Sequence, residues 1–314
     1  MNIIIVGAGA LGLLYGARLA LAGHGVVLLT RSDEQAGALN DQGLLYKEAT
    51  GAETKVGIPA ASVRQFVDAG AGRGFGADWA VLAVKQPHVD AGLLADLERL
   101  LRGGVPLLAL QNGIGHMERL AEALPASRVY AAVTTEGALK PDERTVRHTG
   151  TGRLAFGRWD GRNDDGAEAQ KMLLDALADA GIEANLSNEI KDQVFLKLLL
   201  NAVINPLTAI YQVRNGELPR DPYRLRLMRA LHDESEAILR AAGLRSKEDL
   251  WERLLGVCAA TAGNESSMLR DVRAGRMTEI DWINGGIAGY AKRLGLSSRM
   301  NDAVLALVKA LRVT

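Results

Sequence analysis

At 314 residues the chain is long enough for two domains with substantial cores, and it balances 37 Lys plus Arg against 37 Asp plus Glu. The lack of net charge and of any long basic run argues against nucleic acid or a membrane surface as a partner. A single cysteine, Cys258, rules out a disulfide framework and fits a reducing cytoplasmic compartment, and the five scattered histidines lack the Cys/His ligand spacing of a zinc-dependent reductase.

The chain opens with an apolar strand, Ile3-Ile4-Ile5-Val6, running into Gly7-Ala8-Gly9-Ala10-Leu11-Gly12. A G-x-G-x-x-G turn between a strand and a helix is a pyrophosphate cradle. The first glycine permits the tight turn, the second lets backbone approach the phosphates, and the third lets the helix pack closely on the sheet. The helix N-terminus adds unpaired N–H groups and a positive dipole end. Residues 2–22 are apolar enough to mimic a signal peptide or a membrane span. They lack a basic leader, contain Arg18 and carry the phosphate-turn spacing, so we read them as strand plus helix of a soluble protein. A second strand, Val26 to Leu29, leads to Thr30-Arg31-Ser32 with no carboxylate at its tip. Ser32 caps the next helix, with Asp33 and Glu34 in its first turn. An acidic residue at this tip would select NAD, whereas an Arg accommodates a 2′-phosphate, so Arg31 favours NADP over a reading as a solvated surface residue.

Apolar runs alternating with helical patterns predict a parallel sheet with crossover helices. Strands are expected at 79–84 and 105–110, followed by helices at 87–101 and near 115–124. Further strands are expected within 128–139 and 144–157, then a helix at 166–180 and a short strand at 182–186. The Gly-rich stretch from Asp68 to Gly76 reads as an exposed connection. Lys85 and Asn112 stand at carboxyl ends of strands, where open α/β sheets bind ligands. The plain alternatives are a surface lysine and a turn asparagine. From 189 onward the pattern is helical only, at 189–204, 222–242, 247–261, 277–293 and 299–312. The expected architecture is α/β, with a Rossmann-type parallel-sheet domain over 1–188 and an all-helical domain over 189–314.

Within 194–204 only Lys197 and Asn201 are polar, so that helix is apolar nearly all round and must be buried. Lys197, Asn201 and Asn205 recur every four residues and share one face, and Pro206 is expected to end or kink the helix. A buried ammonium needs a partner or a wet cleft. A polar network joining helices would meet that need, but so would a site in which Lys197 protonates the alkoxide formed when hydride reaches a ketone. There the Asn amides would orient an anionic substrate such as a 2-oxo acid. Two later segments could complete such a pocket. One is Asn264-Glu265-Ser266-Ser267-Met268, whose serines could equally be helix caps. The other holds Glu279, read as a first-turn residue of its helix.

Several motifs together resemble the ketopantoate reductase (2-dehydropantoate 2-reductase) family over nearly the whole chain. They are Gly7-x-Gly9-x-x-Gly12, Val84-Lys85, Asn112-Gly113-x-Gly115, Lys197-x-x-x-Asn201-x-x-x-Asn205-Pro206-Leu207-Thr208-Ala209, Asn215-Gly216-Glu217-Leu218, Ser266-Ser267-Met268 and Thr278-Glu279-Ile280-Asp281. The resemblance implies NADPH-dependent reduction of 2-dehydropantoate to (R)-pantoate, a step of pantothenate and coenzyme A synthesis. It makes Lys197 the general acid, with Glu279 beside the cofactor ribose and the substrate hydroxyl. Asn201, Asn205, Asn215 and Ser267 would bind substrate, and Asn112 would lie at the nicotinamide end. NADP(H) would be held by Gly7, Gly9, Ala10, Leu11, Gly12, Arg31, Lys85, Asn112, Glu279 and the backbone at Ala138. A cytoplasmic enzyme without a metal, acting as a monomer or homodimer on a small 2-oxo acid, is expected. The competing expectations are a reductase for another small 2-oxo acid and a non-catalytic NADPH-binding redox sensor.

Overall fold

Ile3, Ile4, Ile5 and Val6 are each at most 1% exposed, because their strand, β1 (Asn2–Val6), has a neighbour on both edges within an eight-stranded sheet. A computed structural model describes residues 1–70, 74–125, 128–161 and 166–311. Part of the Gly-rich stretch, 71–73, lies outside the described residues, as do 162–165 and position 312 of the last expected helix.

The chain continues through α1 (Ala10–Leu21), β2 (Gly25–Thr30), α2 (Asp33–Gln42), β3 (Leu44–Lys47), β4 (Glu53–Val56), β5 (Ala60–Ser62), α3 (Val63–Asp68) and β6 (Trp79–Leu82). After these come α4 (Ala91–Leu100), β7 (Leu107–Ala109), α5 (His116–Ala123), β8 (Val129–Thr134), β9 (Gly137–Leu139), β10 (Thr145–Gly150), β11 (Arg153–Arg158), α6 (Ala167–Asp179) and β12 (Glu183–Leu186). The large sheet has the order β12-β11-β8-β7-β6-β1-β2-β5. All pairings from β5 to β8 are parallel, and the strand order reverses at β1. This is the Rossmann-type arrangement, and the Gly7–Gly12 turn leaves the carboxyl end of the strand at the switch point.

A four-stranded sheet of order β4-β3-β10-β9 accompanies it, and its β3–β4 hairpin carries no strand signal in the sequence. Each of those strands has only four residues, too few for alternation to separate them from loop. The helix expected over 87–101 divides into a 3₁₀ turn, Gln86–His88, and α4. Asp90 makes the division, because its Oδ1 accepts from Leu93 N at 2.9 Å and caps α4.

The rest of the chain is helical: α7 (Ile190–Tyr211), α8 (Pro222–Ala241), α9 (Leu250–Ala260), α10 (Ser267–Arg273), α11 (Asn284–Leu294) and α12 (Arg299–Ala310). By internal packing the chain forms two units, Met1–Gln111 with His116–Ile190, and Asn112–Gly115 with Lys191–Thr314. The short loop Asn112–Gly115 thus belongs with the helices. Its Ile114 N–H donates to Trp282 O at 3.1 Å, and a Cβ on Gly113 would lie 2.5 Å from that same oxygen.

Two expectations about the helices are corrected. Pro206 does not end α7, for the helix runs on to Tyr211. The carbonyl that Pro206 leaves without a helical donor, Ala202 O, accepts from the Asn284 side chain at 2.9 Å. Nor does Glu279 begin a helix. It lies in a turned segment before α11, with Trp282 N and Ile283 N both donating to its carbonyl. The Trp282 carbonyl, taken by Ile114, is withheld from a helical partner four residues on. By length and composition α7 could cross a membrane, yet 67% of its most apolar window is buried inside the protein.

Candidate active site

The three motif glycines have different physical reasons. Gly7 adopts φ +111°, and a Cβ there would lie 2.7 Å from Val84. A Cβ on Gly12 would lie 1.9 Å from the Gly7 carbonyl oxygen, which is backbone and cannot move aside. Gly9 is different, since its Cβ position meets nothing nearer than Ala83 O at 3.7 Å. The protein itself leaves that space open. α1 starts immediately afterwards at Ala10, capped by no side chain, and Ala10 and Leu11 are partly exposed. An open approach beside uncapped helix N–H groups fits the pyrophosphate of a dinucleotide.

Arg31 lies exposed just beyond β2, and Lys85 lies exposed just beyond β6. Leu29 and Leu82 both stand in register with Val6, so these two cations flank the glycine turn at one sheet edge. His88 titrates below the ordinary histidine value. Partial burial comes first, Arg31 and Lys85 add to it, and Asp90 opposes. Such a cationic margin suits a phosphoryl group.

Ala138 lies in β9, in antiparallel register with His148. Beside it is a buried cluster that sequence reasoning missed. Glu136 bonds Arg18 Nη1 at 3.1 Å and His148 Nε2 at 2.7 Å, with its own side chain 1% exposed. Tyr15 donates to Thr134 Oγ1 at 2.9 Å, and burial pushes its hydroxyl far up. Arg18 and Tyr15 come from α1, so the helix that leaves the glycine turn is pinned to the end of β8 and to the link that leads from it into β9. No sequence signal joins residues so far apart.

In the helical unit, α7 buries Val194, Phe195, Leu196, Leu198, Leu199, Ala202, Val203 and Ile204. Lys197 and Asn201 remain partly accessible on the stripe they share with the buried Asn205. Burial of the ammonium pulls the Lys197 pKa down to about 8, and the Glu279 carboxylate opposes that fall. Glu279 Oε2 in turn accepts from Asn112 Nδ2 at 3.2 Å. The structure thus brings Lys197, Glu279 and Asn112 together from three separate parts of the chain.

Asn215 opens a 3₁₀ turn, donates from Nδ2 to Thr261 Oγ1 at 2.9 Å, and has a buried Oδ1 with no partner among the described residues. Its backbone N–H donates to Asn264 O. Ser266 is the cap of α10, accepting from Leu269 N at 3.0 Å, while Ser267 is the exposed first residue of that helix. Thr208, which bonds back within the last turns of α7, lies 2.7 Å from Ser266 Oγ. Asn215 and Ser267 are therefore gathered near the Asn205 end of the stripe.

Comparisons with known proteins agree along the whole chain. The family model described as ketopantoate reductase PanE/ApbA matches residues 3–161, and the model of its C-terminal part matches 189–312. A 2-dehydropantoate 2-reductase of Archaeoglobus fulgidus is 35% identical over 97% of this chain and 96% of its own length. The crystal structure of a probable 2-dehydropantoate 2-reductase from Bacillus subtilis superposes with a TM-score of 0.83 at 32% identity, covering 99% of this chain and 100% of that one. A D-mandelate dehydrogenase solved with NADH and anilino(oxo)acetate superposes with a TM-score of 0.88 at 26% identity, covering 99% and 98%. With glycine cradle, Lys–Asn–Asn stripe and Glu279 all in place, this chain belongs to the ketopantoate reductase family of oxidoreductases.

Proposed function

We propose that the protein reduces 2-dehydropantoate to (R)-pantoate with NADPH, in pantothenate and coenzyme A synthesis. The observation that carries this reading is Lys197, whose pKa of about 8 lets it hold a proton at neutral pH and still surrender it. A nicotinamide held there would supply hydride for the ketone carbon. Lys197 gives its proton to the oxygen left behind, so ketone, hydride and proton become the alcohol. Asn201, Asn205, Asn215 and Ser267 hold the carboxylate and hydroxyl of the substrate, and the unpaired Asn215 Oδ1 is available as an acceptor. Glu279 keeps Lys197 charged, held toward its task by Asn112. Gly7, Gly9, Ala10, Leu11 and Gly12 cradle the pyrophosphate, Arg31 and Lys85 take the phosphoryl charge, and the Ala138 backbone borders the nicotinamide region.

NADPH consumption with 2-dehydropantoate as sole acceptor tests the reading. The D-mandelate dehydrogenase likeness favours a second reading, reduction of another 2-oxo acid. A panel comparing kcat/KM across 2-oxo acids, benzoylformate included, separates the two, and 2-dehydropantoate is expected to win.

The pH dependence has a definite sign. Lys197 is protonated below about 8, so kcat/KM falls as pH rises through that value. Glu279→Gln removes the group that raises the Lys197 pKa, so the alkaline limb moves to lower pH. An unmoved limb in that variant would separate Glu279 from the proton donor. For the cofactor, Arg31→Ala is expected to raise KM for NADPH by about 10–100-fold, the worth of a hydrogen bond to a charged group, with little change for NADH. Equal losses with both cofactors would deny Arg31 its 2′-phosphate.

A further inference from the structure

Pro206 lacks an N–H, so the carbonyl of Ala202, one turn back in α7, has no helical donor. Asn284, the first residue of α11, is fully buried and spends both amide hydrogens on acceptors. One goes to Ala202 O at 2.9 Å and the other to Asn301 Oδ1 at 3.0 Å. A carbonyl can only accept, which fixes the nitrogen on that side. Asn301 is itself anchored, donating to Glu234 Oε1 at 2.9 Å and Ser235 Oγ at 3.0 Å. The Asn284 oxygen, by contrast, is buried without a partner among the described residues. A side chain chosen for packing alone would not bring an unpaired oxygen into the core, so the amide is present for its donors.

The place of this bond matters. Ala202 lies between Asn201 and Asn205 on α7, and Asn284 lies five residues after Glu279. We infer that Asn284 is a positioning residue of the active site. Its amide replaces the N–H that Pro206 cannot supply and sets the register between the helix bearing Lys197, Asn201 and Asn205 and the segment bearing Glu279. This rests on the reading of Lys197 as the proton donor. α7 can then carry a proline beside Asn205 with the orphaned Ala202 carbonyl still satisfied.

The test is a double-mutant cycle, because Pro206→Ala restores the missing N–H to Ala202. Asn284→Leu is expected to lower kcat by about 10²-fold, the cost of a small misplacement remote from the chemistry. It is also expected to shift the alkaline limb below that of the parent, since Glu279 no longer supports Lys197. Adding Pro206→Ala to Asn284→Leu should recover both kcat and the limb. If the leucine variant does not fold, Asn284→Ala with and without Pro206→Ala makes the same comparison. A fall in Tm with kcat and the limb unchanged would make Asn284 a packing residue only, and a double variant no better than the single one would overturn the replacement. Lys197→Ala separates the two readings. Normal turnover there removes the proton donor, whereas failed rescue in an enzyme that still depends on Lys197 removes the role of Asn284 alone.

Discussion

Lys197→Ala is expected to bind NADPH as the parent does and to lose turnover by about 10²–10⁴-fold, the usual worth of a positioned general acid. The glycine cradle, Arg31 and Lys85 all belong to the other unit and are untouched by the change. What disappears is the proton that must reach the alkoxide as hydride arrives. Lys197→Arg sharpens the point, since guanidinium keeps the positive charge but does not release its proton near neutral pH. Charge stabilisation alone would leave the arginine variant close to the parent, whereas proton donation leaves it close to alanine. Cofactor titration and single-turnover rates measure the two halves separately. An alanine variant with near-normal single-turnover rates would end the proposed role.

Gly9→Val should fold with an unchanged Tm and bind NADPH at least about 10²-fold more weakly, a loss of about 2.7 kcal/mol. The protein offers a Cβ at this position nothing nearer than 3.7 Å, and the residue's φ of −81° and ψ of −172° suit a branched side chain. Only an incoming phosphate competes for that space. Gly12→Ala makes the control, because its Cβ would meet the Gly7 carbonyl at 1.9 Å with or without a cofactor. It should lower Tm before any ligand is added. Calorimetric titration and thermal melts distinguish the cases, and a destabilised Gly9→Val would show that this glycine serves the fold rather than the nucleotide.

The sequence was most readable where chemistry is local. The glycine turn joins consecutive residues, and the Lys197–Asn201–Asn205 stripe depends only on helical period, so both are legible in the residue order itself. Ser32 and Ser266 were likewise readable as caps, and both accept a backbone N–H three residues on. What could not be read were features assembled from distant segments. Glu136 finds Arg18 and His148 across more than a hundred and about a dozen residues respectively, and neither pairing leaves a periodic trace. Pro206 misled for the same reason. The local rule that proline breaks a helix holds for an isolated segment, and the donor that annuls it lies 82 residues from Ala202. Glu279 was placed at a helix start by apolar spacing in the residues after it. The loop at Ile114 takes the Trp282 carbonyl and unwinds that turn.

That loop has a consequence for dissecting the protein. The polypeptide leaves the strand-bearing half after Gln111, lends four residues to the helical half, and goes back at His116 before crossing for good after Ile190. Neither half is one uninterrupted piece of chain. A gene fragment starting at Lys191 would make α8 to α12 and all but the first residue of α7 without the amide that holds the turn preceding α11 and without the asparagine that steadies Glu279. Splitting the enzyme for complementation, or swapping its helical half with a relative's, therefore requires moving Asn112–Gly115 as well.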